Sequence, residues 1–165
     1  HLIPRDVLNP ADYLGMGGMF LVLGGIFIRS WAAGVVKKGK ELATSGPYSL
    51  TRHPLYMGSL AIALGFCFIL WDGESIFAIL FLVVLIYIPK IIDEEKVLGG
   101  RFPSEFAEFK SRTGLFFPKT IPDMRSNWSL AQWWRNREYQ ALLVSLIGLP
   151  FLKWVHELGK KFHGM

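Results

Sequence analysis

Four stretches of this 165-residue chain carry no charged side chain, and they set what the chain can fold into. They run from Tyr13 to Ile28, Leu55 to Trp71, Ile76 to Pro89 and Tyr139 to Leu152. Runs of this kind are how lipid-facing segments look. Each falls short of the roughly 20 residues of a full span, but flanking Arg29 and Lys90 can snorkel toward the headgroups and extend them. The last run is the weakest, because Gly148 and Pro150 interrupt it. Composition agrees with the runs: 52% of residues are hydrophobic and 19% charged, against about 45–50% and about 25% in soluble domains. The expectation is an all-α, polytopic membrane protein of about four apolar helices, forming one domain over residues 1–165.

The net charge of +5 does not point to nucleic acid. The basic residues lie between and after the apolar runs, where membrane proteins keep cytoplasmic Lys and Arg, and no aromatic-basic platform is visible. Arg29, Lys37, Lys38, Lys40 and Arg52 stand between the first two runs, and Lys90, Lys96, Arg101, Lys110, Arg112 and Lys119 follow the third. Only the short acidic stretch Trp71–Ser75 separates the second and third. The asymmetry places residues 29–54 and 90–138 in the cytoplasm, with the 71–75 turn outside. Lys153, Lys160 and Lys161 then fall on the wrong side, which points to a re-entrant or interfacial course for the 139–155 segment.

Small residues predict packed helices rather than isolated anchors. Gly17 and Gly24, Gly18 and Gly25, and Gly58 and Gly65 recur at heptad spacing, and such positions let backbones approach closely. From Arg101 to Arg112, Phe102, Phe106 and Phe109 at helical spacing predict an amphipathic helix, lying in the headgroup zone or packed as a soluble cap. Trp128, Trp133 and Trp134 read as an interfacial belt. The single cysteine, Cys67, reads as a small buried hydrophobe; no disulfide within one chain and no metal site are expected. The chain opens on His1, so a helix preceding it is compatible with the sequence. No cleavable signal is recognisable, because Arg5, Asp6 and Asp12 precede the first run.

Chemistry concentrates in two polar clusters at the cytoplasmic ends of the runs. The first spans Thr44 to Gly58. Pro54 suits the first position of a helix, leaving the amides of Leu55 and Tyr56 at a positive helix end that attracts carboxylate or phosphate. Arg52 and His53 flank that mouth. The second cluster is Asp93, Glu94 and Glu95, expected at the C-terminal end of the third helix, where negative charge opposes the dipole. Neighbouring side chains on a helix diverge by about 100°, so Glu94 and Glu95 are not expected to share a partner.

The run Gly46-Pro-Tyr-x-x-x-Arg-His-Pro-x-Tyr-x-Gly58 precedes a hydrophobic hairpin, the Glu94-Glu95 pair and a Gly114-x-x-Phe-Pro118 tail. Together these resemble the isoprenylcysteine carboxyl methyltransferase family, whose superfamily includes membrane phospholipid methyltransferases. The resemblance covers roughly residues 30–118. It implies an S-adenosylmethionine-dependent enzyme with the cofactor contacted by Lys40, Leu42, Ala43, Tyr48, His53, Pro54, Tyr56 and Glu94. Glu95 and Arg52 are the candidate catalytic residues. Lys90 stands where eukaryotic members have a substrate-binding arginine, and replaces a planar fork with a point charge.

The residues agree with that implication. The helix mouth at His53–Tyr56 suits the anionic carboxylate of the cofactor, and Glu94 suits a cationic or hydroxylated part. Methyl transfer from sulfur is an in-line displacement in which positioning supplies most of the catalysis. A carboxylate or thiolate acceptor needs no general base, whereas a phospholipid amine must lose a proton, to Glu95 or His53. The expected partners are membrane lipids and a lipophilic acceptor entering from the bilayer. A protein-S-isoprenylcysteine carboxylate comes first, then a phospholipid amine or a small thiol. The expected pocket is cytoplasmic and capped by the amphipathic helix. Membrane sterol reductases share an Arg-His-x-x-Tyr-x-Gly element and use NADPH, but usually follow its glycine with an acidic residue. Here Ser59 follows Gly58. A non-catalytic membrane adaptor is the remaining class.

Overall fold

The computed structural model describes residues 12–70 and 73–163, and its regular elements are helices throughout. The helices are α1 (Tyr13–Val35), α2 (Pro47–Leu50), α3 (Pro54–Leu70), α4 (Gly73–Arg101), α5 (Pro103–Arg112), α6 (Leu130–Arg135) and α7 (Glu138–His163). All four apolar runs are helical over their described residues. Two helices are long and apolar enough to cross a membrane, Tyr13–Val35 and the Ile76–Arg101 part of α4. Pro54–Leu70 and Glu138–Phe151 are apolar but shorter. Trp71 and Asp72, the centre of the expected outward turn, and residues 1–11 lie outside the described residues; Gly73 already belongs to α4.

Three helices run further than the apolar runs. The first continues past Arg29 to Val35, α4 past the expected end at Asp93–Glu95 to Arg101, and α7 past Leu152 to His163, with Pro89 and Pro150 inside their helices. Proline costs a helix one backbone hydrogen bond, but neighbouring groups in a packed or membrane helix compensate for it. Asp93, Glu94 and Glu95 therefore sit inside α4, about two turns before its end, and not at a dipole-opposed terminus.

α1 and α3 form the most extensive helix pair. They lie antiparallel, Gly18 against Gly65 and Gly25 against Gly58; a Cβ on Gly18 or Gly25 would stand 2.6 Å from the carbonyl oxygen of its opposite glycine. This close approach is what the heptad glycines permit. Gly17 and Gly24 take no part, since a Cβ on either meets nothing within 4 Å. Val22 and Ile69 are fully buried in this seam, with Phe66 and Leu149 of α7 packed against them. By contrast none of residues 76–90 of α4 is buried, leaving its Phe, Leu, Ile and Val side chains as an uncovered apolar surface.

The remaining chain folds back onto the C-terminal end of α1. Asn136 donates to the carbonyls of Ala33 and Val36 at 2.7 and 2.9 Å, and the Ser129 amide donates to Gly34, capping carbonyls that a helix end leaves open. The Trp128 indole donates to Ser30 O and lies over Gly34, so this member of the expected belt is tied to the protein; Trp134 is exposed and stacks on Tyr139. The amphipathic helix is α5. Phe106 and Phe109 are buried against Ala32 and Tyr48, which makes α5 a helix packed on the protein.

Candidate functional site

The geometry of the site begins with backbone. Gly46 turns the chain at φ +60° and Pro47 opens α2, which buries Tyr48. Ser49 Oγ donates to the carbonyls of Gly46 and Asp123. Thr51 leaves α2 extended and is pinned through its hydroxyl to Leu115 O, while the Arg52 amide donates to Gly114 O at 3.1 Å. The Gly114–Pro118 tail folds into a tight turn, with the Gly114 amide bonded to Phe117 O and a bridge between Thr113 and Pro118. Its structural role is to hold Thr51–His53 straight. Pro54 then starts α3, as its missing N–H allows.

That strut delivers Arg52 and His53 to the carboxylates of α4. His53 Nε2 bonds Glu95 Oε1 at 3.3 Å, and Nδ1 stands 3.9 Å from Glu94 Oε2. The two glutamates diverge as neighbours on a helix do, yet they share the imidazole, one at each ring nitrogen. Arg52 Nε lies 2.9 Å from Glu95 Oε1, an ion pair whose angle is not that of a hydrogen bond. Lys110 Nζ of α5 holds Glu95 Oε2 at 2.9 Å. Burial pulls the His53 ring below its ordinary value, against the opposing pull of its bond to Glu95 and the charge of Glu94. His53 is thus neutral at pH 7. Burial also raises the Tyr48 phenol, with the negative charges of Glu94 and Glu138 adding to it, so Tyr48 remains a protonated donor.

A cavity of about 600 Å³ opens beside this cluster. Tyr48, Arg52, His53, Pro54 and Tyr56 line one side and Lys90 and Glu94 the other. Residues some forty positions apart in sequence are thereby brought together. Glu95 points away from the cavity and reaches it through His53. Lys40 is exposed and lies outside the lining. Leu42 and Ala43 pack against the Ala32–Tyr48 cluster and border a separate space of about 120 Å³. α5 does not roof the cavity. It borders a larger one of about 890 Å³, lined by Ser49, Glu105, Arg112 and Asp123 among others, where Leu42 is the one expected site residue in the lining.

Several lining residues were not expected from sequence: Arg29, Lys38, Ser59, Tyr87 and Val97; Asp93, placed by sequence in the acidic cluster, lines it too. Tyr87, Lys90, Glu94 and Val97 follow one another at three- and four-residue steps along α4, a spacing legible in the sequence once the helix is known to pass Pro89. Tyr87 packs on Tyr56 at 5.1 Å between ring centroids, and Tyr56 on His53 at 5.7 Å. Arg29 does not reach for headgroups. Its Nε and Nη2 form a two-pronged pair with Glu138 at 2.7 and 2.9 Å, and Nη1 bonds Leu55 O and the Ser59 hydroxyl. A lone arginine inside an apolar helix was itself the signal, since such a charge pairs within the protein.

Comparison with known proteins gives three relatives and a family. A model of the phospholipid methyltransferase family matches residues 13–105, more than half of the chain. The cobalt-zinc-cadmium resistance protein CzcN of Cupriavidus metallidurans is 40% identical over 64% of this chain and 48% of its own length. The nickel-cobalt-cadmium resistance protein NccN of Alcaligenes xylosoxydans xylosoxydans is 35% identical over 64% and 49%. The protein-S-isoprenylcysteine O-methyltransferase of Saccharomyces cerevisiae is 33% identical over 51% and 37%. The matched region thus spans about half the length of the first two relatives and about a third of the third. No solved structure matches.

Proposed function

Since this chain belongs to the phospholipid methyltransferase family, we propose that it is a membrane enzyme transferring a methyl group from S-adenosylmethionine to a lipophilic acceptor. The observation that carries the reading is the cavity in which Tyr48, His53, Pro54 and Tyr56 meet Lys90 and Glu94. Its volume falls in the roughly 300–1,000 Å³ range of small-molecule sites. Its charges fit the zwitterionic, sulfonium-bearing cofactor: the N-terminus of α3 with Lys38 and Arg52 for an anionic carboxylate, and Asp93 and Glu94 for cationic groups. When bound, the cofactor supplies an electrophilic methyl group on sulfur.

The chain's own residues orient and neutralise. His53, Pro54 and Tyr56 hold the cofactor side, Glu94 accepts from it, and Tyr48 donates from beneath. Lys40, Leu42 and Ala43 are assigned to the same contact set by family likeness alone, since they lie outside the lining of this cavity. Arg52 balances the charge of Glu95, which in turn fixes His53. The acceptor we assign first is a protein-S-isoprenylcysteine type of carboxylate, met by the Lys90 ammonium and needing no base. A phospholipid amine is the second reading, favoured by the neutral His53 beside Glu94, where a departing proton has an acceptor. A small lipophilic thiol would use the same cavity. The site opens on the cytoplasmic side by the distribution of Lys and Arg. Among the described residues no three His, Cys, Asp or Glu side chains gather as metal ligands. Transfer of labelled methyl from S-adenosylmethionine to extracted lipids and prenylcysteine analogues tests the reading. Labelling of one class is expected, and labelling of none under cofactor saturation overturns it.

A further inference from the structure

The two oxygens of Glu95 go to different elements. Oε1 takes the His53 bond, and Oε2 takes Lys110 Nζ from α5. Arg52 Nε comes within 2.9 Å of Oε1 but is not aimed at it, and it is buried with no hydrogen-bond partner among the described residues. A guanidinium beside a carboxylate favours a fork that engages both oxygens. Here that fork is not made, and the buried Arg52 Nε is left without a hydrogen bond. Arg52 Nη1 is drawn instead to Thr113 O at 3.2 Å, and Lys110 holds Oε2. Two arrangements are open to Glu95: the one present, shared between His53 and Lys110, and an alternative forked onto Arg52.

We propose that Lys110 is a positioning residue of the transfer site, holding Glu95 Oε2 so that Oε1 stays on His53 instead of turning to Arg52. It lies outside the span matched by the family model. A carboxylate only accepts, so the neutral imidazole carries its proton on Nε2 and presents Nδ1 as a lone pair on the Glu94 side of the cavity. The charged and titratable groups around the ring are Arg52 on its own segment, Tyr56 on α3, Glu94 and Glu95 on α4, and Lys110 on α5 through Glu95. This rests on the assignment of His53 to the transfer site, but its test requires no turnover.

The experiment is ¹⁵N NMR of the full chain in detergent, labelled at its four histidines, at pH 8. His53 is identified by the signals lost in His53→Gln. In the parent the His53 ring is expected as the Nε2–H form. Lys110→Arg, which keeps a cation for Oε2, is expected to retain that pattern. Lys110→Met is expected to move both ring nitrogens toward the averaged shifts of mixed tautomers. If Lys110 merely fastened α5 to α4, Lys110→Met would melt at lower temperature with the His53 tautomer unchanged, and that outcome overturns the proposal. So does an Nδ1–H ring in the parent. Titration of the same samples with S-adenosylmethionine reads the functional assignment separately.

Discussion

Glu94 and Glu95 are chemically identical neighbours with different tasks. Glu94 is half-exposed and faces the cavity, whereas Glu95 is tucked between His53, Arg52 and Lys110. Glu94→Gln is therefore expected to weaken S-adenosylmethionine binding more than Glu95→Gln does. A lost hydrogen bond to a charged group is worth about 1.5–3 kcal/mol, and partial exposure favours the lower end, a rise in Kd on the order of tenfold. Equal affinity of Glu94→Gln and the parent in titration would refute its cofactor role. His53 carries a pH signature. Its basicity in the fold lies below its unfolded value near 6.5, so the unfolded chain binds more protons between those two values. The stabilisation is complete above about pH 6.5 and is lost as pH falls toward the folded value. The melting temperature of the parent is expected to drop more between pH 7.5 and 5.5 than that of His53→Gln; parallel slopes would show a ring that is not buried. The polar motif was legible because Arg52, His53, Pro54 and Tyr56 are contiguous. Glu138 and Lys110 were not, since each reaches its partner only once helices pack: Arg29 and Glu138 stand 109 positions apart, and Lys110 meets Glu95 across the α4–α5 corner.

Helices were legible where apolar runs begin and misread where they end. Charge marked the ends of the apolar runs, at Arg29, at Lys90 and at Lys153, yet α1, α4 and α7 each continue beyond it. At Arg29 the reason is visible, since the charge is paired within the protein. The glycine heptads announced a tight seam, but spacing alone does not distinguish Gly24 from Gly25. Only the partner helix decides, and it stands against Gly25. Gly25→Val is expected to force α1 off the Gly58 carbonyl and cost about 1–3 kcal/mol, the usual penalty of overpacking. Gly24→Val, with open space around it, is expected to melt within experimental error of the parent. Thermal melts of both in detergent make the comparison, and similar losses would mean that α1 is rotated from the position described.

For the whole molecule, the family and two long apolar helices give a membrane protein, and the uncovered α4 gives it a lipid-facing side. Topology follows from charge: the loop after α1 and the turn before α4 should face opposite sides. In a Cys67→Ala background, Glu41→Cys and Ser75→Cys are expected to react with an impermeant thiol reagent from opposite faces of sealed vesicles. Labelling of both from one face would mean that α3 does not cross. The central claim, that the cavity at His53 is a methyl-donor site, has its most direct test in calorimetry of the purified chain in detergent. S-adenosylmethionine and its demethylated product are expected to bind, NADPH is not, and Glu94→Gln should lower the first two affinities together. Heat from NADPH with none from S-adenosylmethionine would contradict the account.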